Sequence, residues 1–361
     1  MILNIKKILF FLLGLGIFSS CTDDGNLEDI AYQPDSYNLE LPAHFPAMPI
    51  PADNPLTKKG VELGRFLFYD PILSKDSTMS CASCHDPKLS FTDGKVVSFG
   101  IEGKPGTRSA MSLINIGFSQ AGLFWDGRVR TLEQQALLPI EDPLELNNSW
   151  DNVIKKLKVH PKYPKMFREA FGIADKSEIT KELAVKAIAQ FERTLVSTNS
   201  KYDRVLSGKE RFDDFELIGF SIFFDTDPDL PDGECAHCHN APLATSDDFF
   251  NNGLQRAPTL LDFKDKGRGL VTKTIADNGL FKATTLRNLS FTAPYMHNGS
   301  LSSIDEVLAH YNSGGKESPN SNSLILPLKL DSFHLECLKA FLATLEDPSF
   351  NENPAYQNPY K

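Results

Sequence analysis

The sequence predicts a mainly α-helical protein made of two similar halves, because one short motif occurs twice and each copy follows a helix-like segment. The motif is Cys81-Ala82-Ser83-Cys84-His85, and it returns as Cys235-Ala236-His237-Cys238-His239. The segments before the two copies, 63–70 and 218–225, have apolar residues at three- and four-residue spacing, which is typical of an amphipathic helix. No alternating strand pattern of useful length occurs in the sequence, so we expect few strands.

The similarity between the halves continues after the motif. Residues 113–116 correspond to 286–289, and Trp125-Asp126-Gly127 corresponds to His297-Asn298-Gly299. Each of the latter triplets is followed by a helix start signal, Thr131 in the first half and Ser303 in the second. The sequence therefore predicts an internal duplication, and positions in the two halves can be compared one by one.

The repeated motif is typical of covalent haem attachment. Two thiols separated by two residues can each add to a vinyl group of one haem, and the adjacent histidine then ligates the iron. One zinc site built from all four cysteines, or two redox dithiols, are the alternatives. The histidine in both copies and the export signal described next favour two c-type haems, within two tandem cytochrome c-like domains that have long loops around the cofactors.

The amino terminus predicts export. Residues 1–20 contain Lys6 and Lys7, then an apolar run too short to span a bilayer, and they read as a signal peptide. The ending Phe-Ser-Ser-Cys resembles a lipoprotein box, in which Cys21 is lipidated; an ordinary secretory signal is the alternative. We expect a periplasmic protein that touches the membrane only through this lipid anchor.

The net charge limits the possible partners, and the pattern along the chain predicts its domain organisation. The formal net charge of −10 argues against nucleic acid and anionic lipid as partners. Cys337 lies among leucines at helical spacing and is expected to be a core thiol.

The predicted segments are the signal peptide 1–20, a tether and irregular lead-in at 21–55, a first haem domain at 56–200, a second haem domain at 201–346, and a tail at 347–361.

One matched position predicts that the two haems differ. Fourteen residues after Trp125 is Pro139, and fourteen residues after His297 is Tyr311. A tyrosine phenol can ligate iron, whereas proline offers no ligand atom. We therefore expect an open face at the first haem and a closed face at the second, with Met296 as the rival ligand to Tyr311.

These motifs, together with Phe-Trp-Asp-Gly-Arg at 124–128 and Ala-Pro-Tyr-Met-His-Asn-Gly at 293–299, resemble the bacterial di-haem cytochrome c peroxidase and MauG family over residues 56–345. The resemblance implies that the first haem reacts with hydrogen peroxide and that electrons reach the second haem from a small c-type cytochrome or copper protein. It also implies an electron-transfer role for Trp125. A packing role alone is compatible with the same position.

Peroxide cleavage needs a base, an acid and a donor that orients the peroxide. Residues 137–145 supply three carboxylates, Glu141, Asp142 and Glu145, and spacing alone does not choose among them. The resemblance implies Glu145 as the acid–base residue and Gln135 as the orienting amide.

Two departures from the peroxidase pattern concern the iron ligands. Many family members have a capping histidine at the first haem, but no histidine occurs from Asp86 through Phe124, so we expect no need for reductive activation. Tyr311 stands where peroxidases usually have methionine and where the MauG branch has tyrosine. A phenolate ligand favours oxidised haem.

The resemblance also implies a calcium ion between the domains. Thr292 and Pro294 match the backbone ligands, whereas Ser109 replaces the usual asparagine and is a poorer ligand for a hard cation. The leading hypothesis is a di-haem peroxidase. A MauG-like oxidase of protein tryptophans and a non-enzymatic electron carrier are the rivals, and the association of two copies into a homodimer is left open.

Overall fold

The structure is a computed structural model that describes residues 25–361, of which 36% are helical and 5% are strand. The predicted mainly helical fold is confirmed. The predictions for the signal peptide and Cys21 concern residues that lie outside the described part of the chain. Within residues 25–361, none of the helices combines the length and the apolar character that crossing a membrane requires.

Five α-helices and several short 3-10 turns build the first half. The helices are α1 (Lys58–Tyr69), α2 (Leu132–Glu141), α3 (Trp150–Val159), α4 (Tyr163–Phe171) and α5 (Lys181–Arg193). The 3-10 turns are Pro71–Leu73, Cys81–Ser83, Pro87–Leu89, Ile116–Phe118 and Lys176–Glu178.

Helices α1 and α5 form the framework of this half, and they pack unusually closely at Gly64. A Cβ placed on Gly64 would lie 1.8 Å from the carbonyl oxygen of Ala187 and 3.0 Å from the Cβ of Phe191. Because only glycine leaves room for this contact, the two helix backbones touch directly, and the buried core of the half assembles around them.

The second half repeats this arrangement with six α-helices, several of which are short. Its helices are α6 (Lys201–Leu206), α7 (Asp214–Phe224), α8 (Gly269–Thr272), α9 (Ile304–Asn312), α10 (Ser332–Ala343) and α11 (Pro348–Glu352). Strands β1 (Phe249–Phe250) and β2 (Phe281–Lys282) pair antiparallel, and 3-10 turns span Ile275–Asp277 and Leu289–Phe291.

Helices α7 and α10 pack as α1 and α5 do. A Cβ on Gly219 would lie 1.9 Å from the carbonyl oxygen of Cys337 and 2.8 Å from the Cβ of Phe341. Gly219 therefore corresponds to Gly64, Cys337 to Ala187, and Phe341 to Phe191. The side chain of Cys337 is fully buried in the second core, as the sequence predicts.

The duplication is also visible in two asparagines. Asn115 and Asn288 both adopt left-handed backbone angles, with φ of 56° and 58°. The Oδ1 of Asn115 accepts the backbone N–H of Ser197 at 3.0 Å, and the Oδ1 of Asn288 accepts that of Asp347 at 2.5 Å. In each half, the asparagine side chain thus holds the segment that follows the second framework helix, which is α5 in the first half and α10 in the second.

The two terminal segments both lie against the body of the protein. Residues 25–55 form no helix or longer strand, yet Phe45 and Met48 are buried against Phe118. Residues 347–361, which we call the C-terminal strap, return to the first half, where Phe350 and Tyr356 join a buried aromatic cluster.

Candidate functional site

The first copy of the motif lines a cavity of about 460 Å³. Cys81, Cys84 and His85 all face it, and the backbone N–H of His85 closes the turn on the Cys81 carbonyl at 3.0 Å. The Nδ1 of His85 lies 2.8 Å from the Phe91 carbonyl and donates to it, which leaves Nε2 with a lone pair for a metal. Burial lowers the pKa of His85, so the imidazole is neutral.

The second copy lines a separate cavity of about 200 Å³. The His239 N–H bonds to the Cys235 carbonyl at 2.9 Å, so the turn has the same form as in the first half. The Nδ1 of His239 lies 3.1 Å from the Thr284 carbonyl and 3.3 Å from that of Ala244. Burial lowers the pKa of His239 to about 4 and raises that of Cys235 to about 12.

The two cavities decide between haem and the alternative of one zinc site. Because Cys81 and Cys84 line one cavity and Cys235 and Cys238 line the other, the four cysteines do not converge on one metal. Each pair is free of disulfide bonds and lies beside a neutral histidine whose second nitrogen is held in place. This donor set fits one covalently bound haem per cavity.

The wall of the first cavity carries the predicted peroxide-handling residues. Gln135 and Pro139 come from α2, and Glu145 comes from the loop that follows it. The N–H of Ile101 donates to the Glu145 carbonyl at 2.8 Å and fixes the backbone of that loop. Glu141, by contrast, is exposed to solvent.

The environment of Glu145 changes its acidity. The pKa of Glu145 is raised to about 7, chiefly by burial and also by the nearby Asp142, while Arg128 opposes the shift. A carboxyl group with this pKa can both accept and give up a proton at neutral pH. The structure therefore favours Glu145 over Glu141 as a proton-transferring residue, a choice that sequence spacing alone could not make.

Trp125 lies in the wall shared by the two cavities. Its Nε1 donates to the Ser109 carbonyl at 2.9 Å, and its ring centroid lies 6.4 Å from that of His297, the matching residue of the second half. His297 stacks on Phe281 at 3.5 Å, and burial lowers its pKa to about 4. The tryptophan is thus held between the halves by neutral aromatic neighbours.

Two arginines clamp the turn that follows Trp125. Arg108 donates to Asp126 at 2.7 Å and forms two further hydrogen bonds to Asp265 at 2.8 Å. Arg268 of the second half donates to the carbonyls of Asp126 and Gly127 at 3.0 and 2.9 Å. Sequence reasoning missed this clamp, because charged residues in loops give no periodic signal.

Both predicted ligands of the second iron face the second cavity. The Nδ2 of Asn252 lies 3.3 Å from the Sδ of Met296 and 3.3 Å from the hydroxyl of Tyr311, so the two side chains converge. Burial raises the pKa of Tyr311 to about 12. Tyr311 as ligand remains a prediction, with Met296 as its rival.

The residues predicted for calcium also come together. Ser109, Thr292 and Pro294 line one small cavity beside Trp125. The hydroxyl of Ser109 donates to the Met296 carbonyl at 2.9 Å, which engages its proton. Calcium at this point remains a prediction.

One buried carboxylate in the first cavity was missed altogether. Glu192, near the end of α5, lines this cavity and is only 5% exposed. The sequence contains a signal for it, because the repeat aligns Glu192 with Leu342. That alignment requires the register of α5 and α10, which only their packing against α1 and α7 establishes.

Comparisons with known proteins agree with this geometry. A family model described as di-haem cytochrome c peroxidase matches residues 58–211. Methylamine utilization protein MauG of Methylorubrum extorquens is 35% identical over 334 residues, which cover 91% of this chain and 88% of that protein. Cytochrome c551 peroxidase of Nitrosomonas europaea is 34% identical over 269 residues, which cover 74% of this chain and 77% of that protein.

Solved structures show the same fold. A crystal structure of a MauG-like protein associated with microbial copper homeostasis superposes with a TM-score of 0.82 at 31% identity, covering 90% of this chain and all of that one. The diheme peroxidase BthA from Burkholderia thailandensis superposes with a TM-score of 0.70 at 23% identity, covering 84% and 91%.

Proposed function

The chain belongs to the di-haem cytochrome c peroxidase family, and from this membership we propose that it is an exported enzyme that reduces hydrogen peroxide to water. Electrons come from a small c-type cytochrome or copper protein, arrive at the second haem and reach the first through Trp125. The observation that carries the proposal is the mostly enclosed carboxyl of Glu145 in the first cavity, where the position that matches Tyr311 is a proline.

Three residues of the first cavity handle peroxide in this proposal. A haem bound there would supply the iron at which peroxide is reduced. Glu145 takes the proton from the incoming peroxide and later gives it to the departing oxygen, and a pKa of about 7 suits both steps. The side-chain amide of Gln135 orients the peroxide, and Pro139 keeps that face free of a competing ligand.

A haem in the second cavity would be held by His239 and Tyr311, with Met296 as the rival of Tyr311. The internal repeat supports Tyr311, since it matches Pro139. Replacing Tyr311 with Phe should change the absorption spectrum of the second haem and raise its potential, whereas Met296→Leu should leave both almost unchanged. The reverse pattern would assign the ligand to Met296.

A MauG-like oxidation of tryptophans in a partner protein is the second candidate. It is favoured by Tyr311, which the MauG branch shares, and by the 35% identity to a MauG protein. In this alternative Trp125 passes electrons from the partner protein toward the haems rather than from a small donor.

The remaining proposals concern location and calcium. The signal-peptide pattern of residues 1–20 supports export to the periplasm, and we propose that lipidated Cys21 is the membrane anchor. A calcium ion would be held by the carbonyls of Thr292 and Pro294, with Ser109 nearby.

Stopped-flow mixing of the diferric protein with hydrogen peroxide tests the function. Rapid peroxide loss, with a change in the haem spectrum that reduced cytochrome c reverses, is the expected result for a peroxidase. A changed spectrum that persists in the presence of reduced cytochrome c would favour the MauG-like reaction. Absence of any reaction, with both irons six-coordinate at rest, would overturn both proposals and leave an electron carrier.

A further inference from the structure

Glu192 is a buried acid in the wall of the first cavity. Its side chain is 5% exposed, it lines the first cavity, and its Oε2 is fully buried without a hydrogen-bond partner among the described residues. Burying a carboxyl group without a partner is costly, and an orphaned polar atom of this kind indicates that something outside the protein completes its surroundings.

The second half shows that the fold does not need an acid at this position. The glycine contacts that align Ala187 with Cys337 and Phe191 with Phe341 also align Glu192 with Leu342. Leu342 is buried and lines the second cavity in the same way that Glu192 lines the first. Since leucine satisfies the packing there, the carboxyl belongs to the chemistry of the first site rather than to the architecture.

The cation next to Glu192 in the chain, Arg193, already pairs with another carboxylate. Its neighbour Arg193 donates to both oxygens of Glu133 at 2.8 and 3.1 Å, and Asn54 donates to the same carboxylate at 2.6 Å. The pKa of Glu192 is raised to about 8, chiefly by burial; Arg193 opposes the shift and Glu133 adds to it.

The first cavity is lined by other ionisable or charged groups besides Glu192. They are the cysteine pair Cys81 and Cys84, His85, Arg108, Asp126, Arg128, Asp142 and Glu145. Arg108 and Arg128 are both paired with Asp126, so this pair of cations is already engaged.

We propose that Glu192 is a second proton-holding residue of the first haem site, which binds one proton from solvent for each electron that the site accepts and releases it when the electron leaves. The electron comes from the redox partner protein, and the proton keeps the net charge of the buried site constant. The physical reason is that an added electron lowers the positive charge at the iron, so a carboxylate anion nearby becomes less favourable and binds a proton. The inference depends on haem in the first cavity and not on how peroxide is turned over.

Spectroelectrochemical titration of the intact di-haem protein between pH 6 and pH 9 tests this role. In the wild type, the midpoint potential of the first haem should fall with rising pH, by at most about 59 mV for each tenfold change in proton concentration. In Glu192→Gln the pH dependence near pH 8 should be lost, while that of the second haem stays unchanged. Glu145→Gln is the matched control, because it removes the other acid of the cavity and should keep the slope near pH 8.

An unchanged slope in Glu192→Gln would overturn the proposal, and a slope lost only in Glu145→Gln would assign the proton to that residue instead. Glu192→Leu, which copies the second half, is a second variant for the same titration should the glutamine variant not bind haem. Absence of peroxidase turnover in the wild type would refute the proposed function but would leave this equilibrium measurement interpretable.

Discussion

The two halves share a framework and differ in what their cavities contain. In both, a glycine brings two helices into backbone contact, and a cysteine pair with its histidine forms the same turn beside them. At matched positions, however, the first cavity has Pro139 and Glu192 where the second has Tyr311 and Leu342. The duplicated fold thus supplies two similar haem sites, and a few side chains on the surrounding helices and loops make them chemically different.

The two cavities differ in their volume and in the acidic groups that line them. The first cavity is the larger one and contains two carboxyl groups whose pKa values are raised, Glu145 and Glu192. The second cavity brings a phenol and a thioether to one point beside an amide. A site that must move protons during turnover needs acids of the first kind, and a site that only passes electrons does not.

Replacing Glu145 should have the largest effect on peroxide turnover. Glu145→Gln keeps the size of the side chain but cannot take a proton, so we expect peroxide turnover to fall by roughly 10²- to 10⁴-fold. Steady-state oxidation of reduced cytochrome c measures this. The control is Glu141→Gln, an exposed residue four positions earlier, which should remain close to wild type. Near-normal turnover in Glu145→Gln would remove the residue from the mechanism.

The shared framework can be broken in either half. Gly64→Ala and Gly219→Ala should each lower the free energy of unfolding by about 3 kcal/mol, because the new methyl group meets a carbonyl oxygen and forces the helices apart. Without that contact, alanine in a helix would stabilise by about 1 kcal/mol. Thermal unfolding followed by circular dichroism measures the change.

Gly106→Ala is the control for these two variants, since its Cβ would meet nothing closer than 3.4 Å. A large loss in one half only would show that the helix pairs are not equivalent in their tolerance, contrary to the repeated geometry.

The pH dependence of turnover should reflect the first cavity. Burial raises the pKa of Glu145 to about 7, so the carboxylate that accepts the peroxide proton is present above pH 7 and is lost below it. The second-order rate constant for peroxide should therefore fall about tenfold per pH unit below pH 7. In Glu145→Gln this inflection should vanish. A wild-type profile that is flat between pH 5 and pH 7 would contradict the assignment.

The N-caps of α2 and α9 should give the smallest change in stability. The hydroxyl of Thr131 accepts the N–H of Gln134 at the start of α2, and that of Ser303 accepts the N–H of Glu306 at the start of α9. Replacing either residue with alanine should cost about 1 kcal/mol. Equal shifts in the unfolding midpoint would match the repeat, and Thr131→Ser should retain the wild-type value.

Much of this organisation could be predicted from the sequence. The repeated motif, the helices before it and the capped helices after Trp125 all have local signals, and the structure contains each of them. Glu192 could not be recognised, since a glutamate at the end of an amphipathic helix is usually exposed and its burial depends on packing against other helices. The contact of Asn252 with Met296 and Tyr311 was equally hidden, because it joins a loop to residues that lie 44 and 59 positions later in the sequence.

The C-terminal strap was expected only as a tail, because 347–361 is short, rich in asparagine and proline, and without period. In the structure Phe350 packs on Phe91, whose carbonyl accepts the His85 ring N–H, and Asn351 accepts a hydrogen bond from the Ser90 hydroxyl at 2.7 Å. The support for His85, the histidine of the first cysteine motif, therefore comes from residues 347–361.

This has a consequence for shortened chains. The cluster that contains Phe91 and Tyr69 also contains Phe350 and Tyr356, so it is complete only when residues 347–361 are present. A variant that stops before residue 347 should therefore leave Phe91 and Tyr69 more exposed to solvent, even though every other part of the first half is still encoded.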